Sequence, residues 1–232
     1  MRNDPRILSY AKANYRKMFR ESDGIIHHPF IVPGSCYDNC LWDWDSWLTN
    51  IALRQFVTDD ISEYEKGCIL NFLEHMDDQG RIPIVILPDR TMPELSTQPD
   101  TNIHKPCLAQ HAAFIVRQTG EAEWLRPYFD RLLCFIRYYE EHCRHESGLY
   151  FWIDCLIQRI GCWSGFLAMW NGIATKEQAE RMVRENLLDK NAFWAPFGVR
   201  TLSKYEKMYT VVPSNNPSCW LGPVWGISNY MV

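Results

Sequence analysis

The sequence YDNCLWDWDSWLTNIAL, residues 37–53, sets Asp43 and Asp45 among Trp42, Trp44 and Trp47 and then continues as an apolar helix pattern. Because a buried charge must be paired or bound, two carboxylates among three indoles are unusual in a core. A sugar site combines these residue types, since indole faces stack on pyranose C–H surfaces and carboxylates accept hydrogen bonds from hydroxyls. The stretch therefore predicts carbohydrate binding, and an aromatic helix start capped by aspartate is the structural alternative.

The composition of the 232 residues is that of an ordinary globular protein, with enough apolar residues for a substantial core. A net charge of −4 without a basic tract argues against nucleic acid or an anionic membrane as partner. The N-terminal residues lack the apolar segment of a signal peptide, and no apolar run could span a membrane. We therefore expect a cytoplasmic protein.

The nine cysteines do not suggest a metal centre. Neither the Cys36/Cys40 spacing nor the Cys155/Cys162 spacing matches a zinc ligand pair. In a cytoplasmic protein, the cysteines are expected to be reduced, buried thiols. The sequence predicts neither a metal nor a cofactor.

Apolar periodicity and turn residues predict an all-α fold of about seven helices. The segments Ser62-x-x-Glu65 and Thr175-x-x-Gln178 have the spacing of capping boxes. A short strand or extended edge is expected at 82–87, and loops at 23–39 and 88–106. The predicted helices are 6–20, 44–56, 62–76, 107–119, 122–142, 175–188 and a last one beginning near Pro223.

Two motifs resemble known glycosidases. Trp44-Asp45-Ser46, followed by an apolar helix, resembles the W-D-S start found in (α/α)6-barrel glycosidases. The run from Trp220 to Trp225 with Asn229-Tyr230 is similar to the W-x-G-P-x-W…N-Y element of glycoside hydrolase family 63. Segments 97–99, 148–152 and 163–203 are similar to the same family in the same order. This family includes processing α-glucosidase I and mannosylglycerate hydrolase-like enzymes.

The resemblance implies a single domain over residues 1–232, built as an (α/α)6 toroid of helical hairpins that is incomplete here. It also implies inversion at an α-glycosidic bond, for which two carboxyl groups lie about 6.5–9.5 Å apart. One holds a proton as acid, and the other activates water as base.

Neither catalytic carboxylate of the family has a matching position in this sequence. The aromatic segment 148–154 is followed within eight residues by 161–165, which is similar to a much later element, so the acid loop is missing. The family's base is a glutamate beyond the N-Y helix, and the sequence ends at Val232. The catalytic residues are therefore unknown, and Asp154 and Glu206 are interpreted as capping or solvated charges.

The resemblance carries over a set of sugar-binding residues. Asp45 matches the aspartate at the subsite of the non-reducing sugar, and Gln98 would lie in the loop over the pocket. Trp220 and Trp225 would form a wall, with Gly222 keeping the backbone close. The full predicted set is Trp42, Asp43, Trp44, Asp45, Gln98, Trp220, Gly222 and Trp225, converging on one hollow.

Three hypotheses follow. The first is an α-glycosidase acting on α-linked glucosides or related oligosaccharides, shortened in this chain and expected to be inactive. The second is a non-catalytic carbohydrate-binding or helical scaffold protein. The third is a helical-repeat interaction module whose aromatic residues are core, although no period of 30–50 residues is present. Because an incomplete toroid exposes apolar helix faces, a homo-oligomer is also expected.

Overall fold

The computed structural model describes residues 5–34, 37, 39–91, 103–142, 162–166, 169, 174–212 and 220–232. The chain divides into two compact units, Met1–Ile153 and Asp154–Val232, called unit 1 and unit 2 below. The described residues are mainly helical, with short strand pairs. No helix among them is long and apolar enough to cross a membrane.

The described part of unit 1 contains five α-helices and two antiparallel strand pairs. The helices are α1 (Pro5–Asn14), α2 (Asp43–Leu53), α3 (Ser62–Glu74), α4 (Leu108–Thr119) and α5 (Phe129–His142). The strands are β1 (Phe19–Arg20), β2 (Phe30–Ile31), β3 (Leu41–Trp42) and β4 (Val85–Ile86), with β1 paired to β2 and β3 to β4. Two 3₁₀ segments, Tyr15–Met18 and Glu123–Tyr128, adjoin α1 and α5.

Helix α3 packs closely against the backbone of the segment that leads into β2. A Cβ atom on Gly67 would lie 1.8 Å from the Pro29 carbonyl oxygen, so no side chain fits there. The Asn71 amide accepts a hydrogen bond from His28 N and donates one to His28 O, both at 3.0 Å. Within the predicted loop 23–39, the structure differs at Phe30–Ile31, which form β2 and pair with β1.

A buried ion pair joins α2 to α3. Arg54 donates two hydrogen bonds to Glu65, whose side chain is fully buried. The predicted Ser62–Glu65 capping box is wrong because Glu65 is committed to Arg54. Instead, Ser62 N donates to Asp60 Oδ1 at 3.0 Å, and Ile61 stands at the N-cap without a side-chain bond.

The other predicted helices of unit 1 are largely confirmed. Helix α1 has Pro5 in its first turn, where proline is well tolerated. The predicted helix 6–20 is confirmed only as far as Asn14, since a 3₁₀ segment and β1 follow. Gly120 ends α4 in the left-handed conformation with φ +74°. The predicted helix 122–142 divides at Pro127, because proline lacks the N–H for a helical hydrogen bond. The extended edge near 82–87 is β4.

Unit 2 is built from short elements. Helix α6 (Lys176–Met182) continues as a π-helical turn, Val183–Leu187, and α7 is Gly226–Met231. Strands β5 (Trp194–Ala195) and β6 (Gly198–Val199) form a hairpin, and Trp163–Phe166 is a 3₁₀ turn. The described core consists of Phe166, Leu187, Ala192, Phe193 and Val199.

Sequence predictions for unit 2 succeed at one helix start and fail at another. The capping box at α6 is confirmed, since Thr175 Oγ1 accepts from Gln178 N and Gln178 Oε1 accepts from Thr175 N. The last helix does not begin near Pro223. It begins at Gly226, because Pro223 O accepts from Thr201 N and keeps residue 223 in an extended segment.

We predict that Gly67→Ala destabilises the protein by about 2 kcal/mol, since the added methyl group overlaps the Pro29 backbone. The loss should outweigh the better helix propensity of alanine. Urea denaturation followed by circular dichroism measures the change. Gly226→Ala is the matched control, because nothing lies within 4 Å of the position that a Cβ atom would take there. Equal stability of both variants would contradict the described α3–β2 contact.

Candidate functional site

Three backbone segments meet at the start of α2. Strand β3 enters α2 directly and pairs with β4, with Leu41 opposite Ile86. Asp43 N donates to Ile84 O at 3.1 Å, and His104 N donates to Ile82 O at 2.7 Å. These bonds place residue 105, distant in sequence, beside the first turn of α2.

Asp43 and Lys105 form a buried ion pair at this point. Lys105 Nζ lies 3.0 Å from Asp43 Oδ1 and 2.8 Å from Oδ2, and Lys105 N also donates to Oδ2 at 3.1 Å. The Asp43 side chain is fully buried and that of Lys105 is 11% exposed. Both carboxylate oxygens of Asp43 are therefore engaged by protein, which favours a structural role over direct sugar contact.

Trp44 and Asp45 complete what we call the α2 cluster: Asp43, Trp44, Asp45 and Lys105. Lys105 Nζ lies 4.5 Å from the centroid of the Trp44 ring, within cation–π range. Burial raises the pKa of Asp45 to about 6, and the negative charge of Asp43 adds to this rise. Lys105 and a hydrogen bond from the Trp44 side chain oppose it. Asp45 can thus accept hydrogen bonds as a carboxylate or donate one as an acid near neutral pH.

The buried face of α2 below the cluster is polar. Asn50 Nδ2 lies 2.7 Å from His111 Nε2 on α4, and Ser46 Oγ donates to Asp43 O at 2.8 Å. Burial lowers the pKa of His111 to about 3 and that of His104 to about 4. Both histidines are therefore neutral at physiological pH. The side chains near them that carry charge are those of the α2 cluster.

The other two tryptophans of the central motif have different surroundings. Trp42 lies in β3 opposite Val85 and is partly exposed at the entry to α2. Trp47 is partly buried, and its Nε1 atom has no hydrogen-bond partner among the described residues. As ligand contacts, Trp42 and Asp43 stay predictions.

Unit 2 carries a second aromatic group, the indole stack of Trp163, Trp220 and Trp225. The rings of Trp220 and Trp225 are parallel, with centroids 4.9 Å apart, and those of Trp163 and Trp220 are 5.9 Å apart. Rings in direct stacking contact cannot admit a sugar between them. Any pyranose would stack on an outer face of the group.

The backbone around the indole stack explains Gly222. Its φ of +145° is unfavourable for other residues, and a Cβ there would lie 2.6 Å from the Tyr209 ring. Gly222 N donates to Thr201 Oγ1 at 3.3 Å, and Trp163 N donates to Thr201 O at 2.9 Å. Gly222 therefore allows the Tyr209 segment to lie against the segment that carries Trp220.

Asn229 has a structural role. Its Oδ1 accepts from Val199 N at 2.6 Å, and its Nδ2 donates to Val199 O at 3.0 Å and to Trp225 O at 2.8 Å. One amide thus holds α7 against β6. These contacts give Asn229 a role in packing α7 against β6.

Two predicted residues lie outside the described part of the chain: the candidate sugar ligand Gln98 and the carboxylate Asp154. The segments 97–99 and 148–152 lie outside it as well. Within the described ranges, no group of three or more His, Cys, Asp or Glu side chains is arranged to hold a metal ion.

Lys105 is a site residue that the sequence did not predict. It stands in the polar, proline-rich segment between β4 and α4, where no periodicity marks a buried side chain. The only available signal was indirect: a buried Asp43 requires a cationic partner. The sequence offered many basic residues and no means of choosing among them.

Comparison with known proteins places one segment in a family. Residues 160–232 match the family model described as the mannosylglycerate hydrolase MGH1-like glycoside hydrolase domain. This confirms the resemblance to family 63 over just under a third of the chain, including the indole stack. No curated protein matches the chain.

Titration of Asp45 tests the electrostatics of the α2 cluster. Its pKa of about 6 exceeds the unfolded value near 3.9, so the folded state binds this proton more tightly. Asp45 therefore makes folding less favourable as pH rises from about 4 to about 6, and its effect is constant above that. We predict that wild type loses up to about 3 kcal/mol relative to Asp45→Asn across this interval.

Carbon-13 NMR of the Asp45 carboxyl group measures the pKa directly. Urea denaturation at several pH values measures the difference in stability between wild type and Asp45→Asn. A carboxyl pKa near 4, or a stability difference independent of pH, would contradict the described burial of Asp45.

We predict that Asn229→Ala lowers the free energy of unfolding by about 2 kcal/mol, because the Val199 N–H and C=O groups lose their partners. Thermal unfolding monitored by circular dichroism gives the change. The exposed Asn191 provides the matched control, and Asn191→Ala should change stability by less than about 0.5 kcal/mol. A similar small effect at Asn229 would rule out the amide contact.

Proposed function

We propose that this chain is a glycoside hydrolase-like protein that binds α-linked glucosides or related oligosaccharides. The observation that carries the proposal is the match of residues 160–232 to a glycoside hydrolase family model. The sugar-binding residues are proposed to be Trp44 and Asp45 of the α2 cluster, with Asp43 and Lys105 supporting them. In unit 2, Trp220 and Trp225 of the indole stack are proposed as a further stacking surface.

The α2 cluster has the chemistry that a neutral sugar requires. Trp44 offers an aromatic surface, and Asp45 offers a partly buried carboxyl group whose environment raises its pKa to about 6. Hydrogen bonds from hydroxyls to a desolvated carboxylate are stronger than the same bonds in water. Asp45 is therefore proposed as the principal polar contact, supported by Trp44, and Trp42 and Gln98 are proposed as further contacts.

The finer activity follows from the family resemblance and is proposed on that basis alone. The proposed fold is an incomplete (α/α)6 toroid of hairpins that forms one partial domain over residues 1–232. The proposed reaction is inversion at an α-glycosidic bond, and the proposed assembly is a homo-oligomer. Exposed apolar side chains on α1, namely Ile7 and Tyr10, fit the last of these.

A non-catalytic binding role is the second candidate, and the Asp43–Lys105 pair favours it. An inverting reaction needs an acid and a base carboxyl group. Within the described part of the α2 cluster, Asp43 is neutralised by Lys105, so that Asp45 is left as the single carboxyl group available to a ligand.

Calorimetry tests the binding proposal with methyl α-D-glucopyranoside, methyl α-D-mannopyranoside and maltose as probes. We predict that Asp45→Ala weakens binding at least tenfold, since a charge-assisted hydrogen bond contributes about 1.5–3 kcal/mol. Asp78→Ala, at an exposed position of the same unit, is the control and should leave affinity unchanged. Unchanged affinity in Asp45→Ala would instead support a helical interaction module.

The same samples decide between binding and hydrolysis. We expect no release of glucose from maltose and no cleavage of an aryl α-glucoside. Turnover that disappears in Asp154→Asn would show that Asp154 is the acid and that the chain is an active glycosidase.

A further inference from the structure

We propose that Lys105 is a positioning residue: its ammonium group, held by Asp43, fixes the orientation of the Trp44 indole in the proposed sugar site. This inference rests on the proposed function, because it names a residue that orients the same sugar site.

The ion pair fixes the ammonium group. Lys105 contacts the Asp43 carboxylate through Nζ and through its backbone N, at distances of 2.8–3.1 Å. Two anchor points on one carboxylate restrict the side chain far more than an ordinary surface ion pair does. Because only 11% of the Lys105 side chain is exposed, Lys105 affects ligand binding through its neighbours rather than by direct contact.

The fixed ammonium group in turn orients Trp44. Its nitrogen lies 4.5 Å from the ring centroid, where a desolvated cation–π contact is strong. Trp44 directly follows Asp43 in α2, so Lys105 ties two consecutive residues of the first helical turn. The contact with the ammonium group therefore restricts the positions that the Trp44 ring can take.

The orientation of Trp44 also bears on Asp45. Trp44 directly precedes Asp45 and contributes to the environment that sets the pKa of its carboxyl group, as do the charges of Asp43 and Lys105. Displacement of the indole would therefore disturb the stacking surface and the hydrogen-bonding group together. Neither Asp43 nor Lys105 needs to touch the sugar for this effect.

The test uses the double variant Asp43→Asn with Lys105→Met, which removes both charges with little change in volume and leaves no unpaired buried ion. Lys66→Met, which breaks the ion pair of Lys66 with Glu121, is the control. The readouts are the indole N–H resonance of Trp44 in nitrogen-15 NMR, assigned with Trp44→Phe, and the affinity for methyl α-D-glucopyranoside.

In the double variant we expect a shifted Trp44 resonance and an affinity lowered about tenfold, with both unchanged in the control. An unmoved resonance would overturn the proposal, and reduced affinity with an unmoved resonance would show that Lys105 contacts the sugar itself. If wild type binds no sugar, the proposed function fails, while the resonance still decides the positioning role.

Lys105→Arg provides a second test that does not depend on the fold of the double variant. Arginine keeps a cation between Asp43 and Trp44. The Trp44 resonance and the affinity should be retained in this variant, and their loss in a folded protein would overturn the inference.

Discussion

The buried pair of Asp43 and Lys105 is the contact on which the α2 cluster depends. It joins the first turn of α2 to a segment that also bonds Ile82 through His104. Removal of one partner would leave the other charge buried and unpaired, which would lower the free energy of unfolding by about 3–5 kcal/mol. The pair therefore fixes where α2 begins and, with it, the surroundings of Trp44 and Asp45.

Helix α2 differs from the apolar core around it because its buried face is mainly polar. Its buried face carries Asp43, Ser46 and Asn50, whereas the buried face of α4 is mainly apolar. Hydrogen bonds are directional, so a polar face fixes helix position more narrowly than packing alone. With His104 and His111 held neutral by burial, Asp45 is the group of this region whose charge changes near neutral pH.

The family match and the proposed site lie in different parts of the chain. The family match covers residues 160–232 within unit 2, where Gly222 and Asn229 order the backbone around the indole stack. The α2 cluster lies outside that match, in unit 1. Its proposed role in sugar binding therefore rests on burial, charge and aromatic contact.

The sequence by itself determined most helices, the capping box at Thr175 and the family of the C-terminal segment, because periodicity, caps and motifs are local properties. It also marked Asp45 by its place among indoles. Only the tertiary structure decided that Glu65 pairs with Arg54 rather than capping α3, that Pro223 stays extended, and that Lys105 neutralises Asp43. Each of these outcomes joins residues far apart in the chain or competes with a local preference. The partner of a buried charge is chosen by three-dimensional proximity, which no local pattern records.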